Sequence, residues 1–129
     1  MRRYARLFFA LALAAVLLAG CAAQPVEEAP AATEIPVPEG DYVRIQVDGV
    51  TKAMIPLTEP QTITLRQPTG EENVIEITSR GAVMKSANCH NQDCVHMGAV
   101  TVDNWESRVN EAFIVCLPHK VTVELVVRE

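Results

Sequence analysis

The sequence predicts a small all-β domain, a compact barrel or a two-sheet sandwich, preceded by a signal peptide and a disordered tether. Three observations lead to this prediction. Apolar and polar residues alternate with a period of two in several short stretches, turn-forming residues separate these stretches, and no convincing period of 3.6 is sustained over ten residues. Several short strands joined by turns are typical of small barrels and sandwiches. The folded part is then residues 41–129. A core of this size gives little stability, so a covalent cross-link would stabilise the domain.

The alternation is clearest at the two ends of this domain. The stretch "YVRIQVDGV" alternates up to an Asp-Gly turn signal at 48–49, and "TKAMIPL" follows as the second arm of a hairpin. At the C-terminal end, four apolar residues share one face of a final strand. They are Val121, Val123, Leu125 and Val127. Both ends are therefore predicted to be strands with one buried face.

Between these ends the sequence predicts three more strands and one ambiguous segment. The strands are "QTITLRQ", "NVIEIT" and "AVMKS", separated by the turn signals "PTGE" and Ser-Arg-Gly. In "VDNWESRVNEAF", Trp105, Val109 and Phe113 recur at a spacing of four, which fits one or two helical turns. A polar loop explains the same segment equally well, so both interpretations stay open.

The N-terminus has the organisation of an export signal for a lipoprotein. Basic residues open the chain, thirteen apolar residues run from Leu7 to Ala19, and "LAGC" ends at Cys21. This ending matches the bacterial lipobox, in which the cysteine sulfur receives acyl chains such as palmitate and the signal is cut just before it. The apolar run is shorter than the ~20 residues of a membrane-spanning helix. We therefore predict a signal peptide over residues 1–20 and lipidation of Cys21.

Residues 21–40 are predicted to form a tether between the lipidated cysteine and the folded domain. The stretch after Cys21 is rich in Pro, Glu and Ala and has no aromatic residue, so it cannot bury enough apolar surface to order itself. Loss of the three signal arginines moves the formal net charge from −5 to −8, which argues against nucleic-acid binding. The predicted location is the extracellular face of the cell membrane, held there by lipid.

Three cysteines remain for the folded domain: Cys89, Cys94 and Cys116. An exported protein is disulfide-permissive, so a bridge between two of them is expected. A Cys94–Cys116 bridge closes a loop of roughly twenty residues, which the chain-entropy model values at ~3 kcal/mol, whereas Cys89–Cys94 closes a very short loop. Cys94 and Cys116 are the favoured pair, with Cys89 as the alternative partner. The connectivity stays open, and one thiol has no assigned role.

The same region also contains a metal-ligand pattern, C-x-H at 94–96 and C-x-x-H at 116–119. It resembles the Rieske arrangement, in which two cysteines hold one iron and two histidines the other. Lys120 stands where the Rieske pattern has a glycine, and Cys89 alone cannot supply the extra bridging pair. Zinc would accept the same donors. The alternative cofactor is therefore Zn or a [2Fe–2S] cluster, with no cofactor as the simpler expectation. The ligands would be Cys94, His96, Cys116 and His119.

No catalytic constellation is visible in the sequence. There is no spaced Ser, His and Asp set, and no carboxylate pair stands out from the acidic surface. Nothing near Cys89 would lower its pKa enough to make it a nucleophile. We therefore expect a non-enzymatic binding or accessory module of the cell envelope, with a redox or metal protein as the alternative.

Five stretches of the domain together resemble the NusG domain II family. They are "DYVRIQVDGV", "AMIPL", "NVIEIT", "SANCHNQDCVHMGAV" and "IVCLPHKVTVEL". The most specific parts are Cys89, Cys94 and the following Gly98, together with Cys-Leu-Pro at 116–118. The resemblance covers nearly all of residues 41–129. It implies a small β domain, which also occurs alone as a short exported or lipid-anchored protein in Gram-positive bacteria.

The resemblance also implies that the cysteines are more important to the family than the histidines. Relatives often carry Asn at the position of His119 and Lys at that of His96, which implies that the cysteines are the shared feature. It brings no established enzymatic activity. The partners it implies are envelope proteins that resemble membrane transporters or carry flavin, and with them a thiol–disulfide role in surface electron transfer.

Overall fold

The computed structural model describes residues 34–129, which form two antiparallel four-stranded sheets, one short α-helix and one 3-10 turn. The strands are β1 (Tyr42–Val47), β2 (Val50–Pro56), β3 (Gln61–Arg66), β4 (Glu72–Thr78), β5 (Gly81–Ala87), β6 (Val100–Thr101), β7 (Phe113–Cys116) and β8 (Val121–Val126). The helix α1 is Asp93–His96, and the 3-10 turn is Trp105–Ser107. The predicted all-β class is confirmed. Of its two forms, the two-sheet arrangement is the one observed, because neither sheet closes into a barrel.

The first sheet has the strand order β2-β1-β8-β7, so the first and last strands lie side by side at its centre. The predicted hairpin joins β1 and β2 through Asp48 and Gly49, which have φ angles of 51° and 78°. Two successive residues with positive φ match the turn that fits the natural twist of a two-residue hairpin. β1 pairs with β8 along its whole length, from Tyr42 opposite Val126 to Val47 opposite Val121.

The second sheet has the order β3-β4-β5-β6, in which each strand follows its neighbour along the chain. The chain then returns to the first sheet through β7 and β8. Core residues from both sheets form a single buried cluster with the three cysteines of the domain. The fully buried large side chains include Ile45, Ile75, Ile77, Met84, Ile114 and Val123. The two sheets therefore share one core.

The predicted alternation of the last strand is confirmed for three of its four apolar residues. Val121, Val123 and Leu125 are buried, and the polar residues between them are half-buried. The prediction for Val127 is wrong, since β8 ends at Val126 and Val127 is exposed. The physical reason is the length of the partner strand: β1 begins at Tyr42, opposite Val126, and offers no ladder beyond it.

The segment that the sequence left open between helix and loop is mostly loop. Only Trp105–Ser107 forms a 3-10 turn, and Phe113 already belongs to β7. Trp105 packs against the core, whereas Val109 is fully exposed. The spacing of four therefore arises without a helix. The α-helix that does form, α1, is too short to leave a periodic signal in the sequence.

The predicted signal peptide, the lipidation site Cys21 and most of the tether lie outside the described residues. The described part begins at Glu34, and residues 34–41 run without regular secondary structure up to β1. Within residues 34–129, no helix is both long enough and apolar enough to cross a membrane.

Candidate thiol site

The three cysteines of the folded domain come together from three different elements. Cys89 follows the end of β5, Cys94 lies in α1, and Cys116 is the last residue of β7. The helix α1 packs against both β5 and β7. This packing brings Cys94 between the ends of two strands that belong to different sheets.

The loop between β5 and α1 is held in shape by Gln92. This residue has a left-handed backbone with φ of 57°, and its side-chain amide donates hydrogen bonds to the carbonyl oxygens of Ala87 and Cys89, at 2.7 and 2.5 Å. The same amide lies 3.7 Å from the Cys89 sulfur. Glutamine at this position therefore orders the segment that positions the first thiol next to the second.

The thiol cluster consists of the Sγ atoms of Cys89, Cys94 and Cys116, which all lie within 4.8 Å of one another. The Sγ atoms of Cys89 and Cys94 are 3.7 Å apart. The three residues are 5, 1 and 1% exposed, and all three are free thiols in this structure. Both candidate disulfide pairs of the sequence therefore belong to one cluster, and Cys94 is common to them.

Burial controls the protonation of the central thiol. Removal of Cys94 from water, together with hydrogen bonds to the thiols of Cys116 and Cys89, raises its pKa to about 12. A thiolate is a charged group, and an apolar environment disfavours it. Cys94 is therefore a protonated thiol at neutral pH when the cluster is reduced and free of ligands.

The raised pKa of Cys94 predicts that the reduced protein loses stability in alkaline solution. A free cysteine titrates near pH 8.5, and the folded protein holds this proton up to about pH 12. The stabilising effect is complete below the unfolded pKa and is lost as the pH rises towards the folded one. Urea unfolding of the reduced protein at about pH 8 and about pH 10.5 should show this loss. A Cys94→Ala variant should show a smaller one, and equal losses in both proteins would contradict the assignment.

A cavity of about 290 Å³ opens onto the thiol cluster from one side. Cys94 and Cys116 line it, whereas Cys89 does not. Its lining also includes the thioether of Met97 and the side chain of Leu117, which is 78% exposed. Two of the three thiols therefore lie in the wall of this cavity, although each residue is only 1% exposed.

Met97 is held at the cavity by its own backbone and side-chain contacts. The Val115 N–H donates to the Met97 Sδ at 3.4 Å. The Arg108 guanidinium donates to the Met97 carbonyl oxygen at 3.0 Å and to the Phe113 carbonyl oxygen at 3.1 Å. These bonds connect the segment after α1 with β7, and they hold Met97 in the wall of the cavity that Cys94 and Cys116 also line.

The two histidines of the predicted ligand set do not join the thiol cluster. Among residues 34–129, only the three cysteines bring together three or more His, Cys, Asp or Glu ligand atoms as a candidate metal site. His96 is exposed at the end of α1. His119 is buried, but its Nδ1 lies 2.8 Å from the Oδ1 of Asn73, which is itself buried. The fold thus unites Cys94 with Cys116 and separates both histidines from them.

Sequence reasoning missed two parts of this site. It left Cys89 without a role, although the structure places its thiol next to Cys94, and it did not single out Met97. The available signal was the C-x4-C spacing of residues 89–94, with the thioether three residues further on. Four residues between two cysteines allow one loop and the start of a helix, which is the geometry observed here.

Comparisons with known proteins agree with this fold. The family model for NusG domain II matches residues 7–129. A DUF1312 family protein from Ruminococcus gnavus is 32% identical over 66% of this chain and 96% of its own, with a TM-score of 0.51. The Lin0431 protein from Listeria innocua is 26% identical over 70% of this chain and 100% of its own, with a TM-score of 0.58.

A DUF1312 family protein from Enterococcus faecalis shares the fold at 22% identity, with a TM-score of 0.58 over 69% of this chain and 99% of its own. No curated protein matches the chain. The resemblance predicted from the five sequence stretches is confirmed, since the family model spans nearly the whole chain. The chain belongs to the NusG domain II family.

Proposed function

We propose that this protein is a lipid-anchored accessory module on the extracellular face of a bacterial cell membrane, in which the thiol cluster forms one disulfide and keeps one thiol. The lipobox cysteine Cys21 and the tether that follows it support the anchoring. An oxidising location beyond the membrane supports the disulfide. The observation that carries the functional part is the convergence of three buried thiols beside an open cavity.

Three thiols in one cluster suit disulfide exchange better than a purely structural clamp. A disulfide needs sulfur atoms about 2.05 Å apart, so Cys89 and Cys94, now 3.7 Å apart, need a small approach. Cys94 neighbours both other thiols, and the bridge can therefore include Cys116 or Cys89. A clamp would need only two cysteines, whereas the third leaves a free thiol beside the bridge with which it can exchange.

The exchange step is balanced within the cluster. With a Cys94–Cys116 disulfide, the Cys89 thiol loses its proton and attacks the Cys94 sulfur, the Cys89–Cys94 bond forms as the Cys94–Cys116 bond breaks, and Cys116 leaves as a thiolate that takes up this proton. No electrons are gained or lost overall. Cys116 lines the cavity and Cys89 does not, so this exchange frees a thiol in the wall of the cavity. A partner that carries a thiol, a disulfide or a flavin would exchange electrons with the protein at this point.

The test is to determine the thiol state of the protein as it exists in the native membrane. Cells are quenched in acid, free thiols are alkylated, and the full chain is digested and examined by mass spectrometry. Trypsin separates residues 86–108 from residues 109–120, and cleavage before Asp93 separates Cys89 from Cys94. Every possible bridge therefore gives a distinct pair of linked peptides.

The expected result is one disulfide among the three cysteines, one alkylated thiol, and an acylated N-terminal peptide beginning at Cys21. A Cys89→Ser variant is the matched control, because it should retain a Cys94–Cys116 bridge and show no free thiol in the domain. Recovery of all three cysteines in alkylated form would refute the disulfide. An N-terminal peptide that still includes residues before Cys21 would refute the anchor.

A further inference from the structure

We propose that the thiol cluster, when reduced, binds one copper(I) ion through the Sγ atoms of Cys89, Cys94 and Cys116. This inference goes beyond the proposed function, since it needs neither the lipid anchor nor the disulfide. It also differs from the ligand set predicted from the sequence, because it uses no histidine. The ligand is a soft, monovalent, thiophilic cation.

The spacing of the sulfurs fits a three-coordinate site. A metal–sulfur bond is about 2.3 Å long, so three sulfurs placed evenly around one ion in a plane are about 4.0 Å apart. Here the Sγ atoms of Cys89 and Cys94 are 3.7 Å apart, and no pair of the three exceeds 4.8 Å. The thiols are held by β5, α1 and β7, which are fixed by their own sheet and core contacts. An ion can therefore enter with small side-chain movements and no rearrangement of strands.

The donor set selects copper(I) over the other thiolate-binding metals. Structural zinc sites are tetrahedral and need a fourth ligand, but in the part of the chain that the structure describes no His, Asp or Glu joins the three cysteines. An iron–sulfur cluster needs four protein ligands, two of them histidines in the Rieske form. Soft sulfur donors without a harder ligand favour copper(I). Met97, whose thioether is a further soft donor, lines the same cavity.

The binding step conserves charge and oxidation state. Copper(I) enters, the three thiols release their protons to water, and the copper stays monovalent. The resulting thiolate site carries excess negative charge, which would be costly in a closed apolar core. The thiol cluster opens on one side to the cavity, where the amide side chains of Asn91 and Asn110 are part of the lining. The same lining includes the Asp93 carboxylate, to which the Asn91 amide donates at 2.7 Å. The Asn110 amide and solvent entering the cavity would therefore have to solvate this charge.

Copper(I) binding uses all three cysteines as ligands at the same time, whereas a single disulfide joins only two. The two states also exclude each other, because a disulfide between any pair removes two of the three ligands. Exchange with a disulfide-bearing oxidant, itself reduced to two thiols, would therefore convert two ligands to a disulfide and release the ion. Reduction by a dithiol, itself oxidised to its disulfide, would restore the site. A copper(I) site that a disulfide abolishes requires Cys89 as the third thiol, the residue to which the sequence assigned no role.

The experiment is a copper(I) titration of the full lipidated chain in detergent, reduced and kept under anaerobic conditions. A coloured copper(I) chelator, bathocuproine disulfonate, competes with the protein and reports the free ion. We expect one copper(I) per protein. Separate Cys89→Ser, Cys94→Ser and Cys116→Ser variants should each bind on the order of 100-fold more weakly, given that even outer-shell partners contribute 10–100-fold. Far-ultraviolet circular dichroism shows whether each variant is folded.

Two control variants separate this site from other donors. His96→Ala should bind copper(I) as the unchanged protein does, because His96 is not part of the thiol cluster. Cys21→Ser should also leave the stoichiometry unchanged, since Cys21 is the only other cysteine in the sequence. If a serine variant fails to fold, alkylation of the unchanged protein replaces it. Copper(I) should then protect Cys89, Cys94 and Cys116 together, as read from their separate peptides.

Several outcomes would overturn the inference. They are the absence of copper(I) uptake, protection of only one or two of the three thiols, and displacement of copper(I) by an equal concentration of zinc(II). The result is independent of the disulfide test, because a protein without a disulfide in the membrane can still bind copper(I) when reduced. Conversely, a protein with a disulfide that binds no copper(I) after reduction would refute this inference alone.

Discussion

An Ile75→Ala substitution is expected to lower the free energy of unfolding by about 4 kcal/mol. Ile75 is fully buried in β4, between Ile63 of β3 and Met84 of β5. Truncation removes apolar contacts and leaves a cavity that the neighbouring strands cannot fill, and such changes cost 2–5 kcal/mol in well-packed cores. In a domain of this size the loss is a large share of the total stability. Urea denaturation followed by circular dichroism measures it.

The matched control for this prediction is Val109→Ala. Val109 is fully exposed in the loop before β7, so its truncation should change stability by no more than about 0.5 kcal/mol. A cost for Ile75→Ala as small as that of Val109→Ala would mean that the second sheet does not pack into the shared core. It would contradict the observed arrangement of the two sheets.

The second large effect is expected from Gly81→Ala, which should cost about 3 kcal/mol of stability through overpacking against the backbone. Gly81 begins β5 and pairs with Thr101 of β6. An added Cβ would overlap the Val100 carbonyl oxygen and lie 2.8 Å from the Thr101 Cα. Both are backbone atoms, and Val100 is fully buried. The clash therefore cannot be relieved by rotating a side chain, and the two-residue strand β6 would be pushed away from β5.

Gly49→Ala is the comparison that isolates this clash. Gly49 has φ of +78°, and no heavy atom lies within 4 Å of an added Cβ. Alanine there should therefore destabilise the protein only by the backbone strain of a left-handed residue, about 1–2 kcal/mol. Chemical denaturation of the two variants side by side gives the difference. Equal destabilisation would show that close approach of β6 is not the reason for glycine at position 81.

The strands of this domain could be predicted from the sequence because their signal is local. Alternation with a period of two identifies a buried face from a few neighbouring residues, as in Val121, Val123 and Leu125. The Asp-Gly pair at 48–49 likewise encodes its own turn through two positive φ angles. Val127 was misassigned because the end of a strand depends on where its partner ends, which is information from a distant part of the chain.

The functional site was only partly predictable for the same reason. The spacing of residues 94–96 and 116–119 suggested a site with two cysteines and two histidines. His119 instead lies in the turn between β7 and β8 and contacts Asn73, and His96 is exposed on α1. Sequence spacing along a chain does not define which side chains face one another when they come from a helix and a strand end. The sequence therefore indicated a site in this region, but it did not indicate which of the cysteines and histidines come together there.

The sequence by itself determined the all-β class, the family, and the three cysteines as the residues of interest. These follow from local periodicity and from residue identity, which need no contact between distant segments. Only the tertiary structure decided that Cys89 belongs with Cys94 and Cys116, that the histidines do not, and that a cavity reaches two of the three thiols. The reason is that α1 packs against strand ends from two different sheets, a long-range contact that no local pattern encodes.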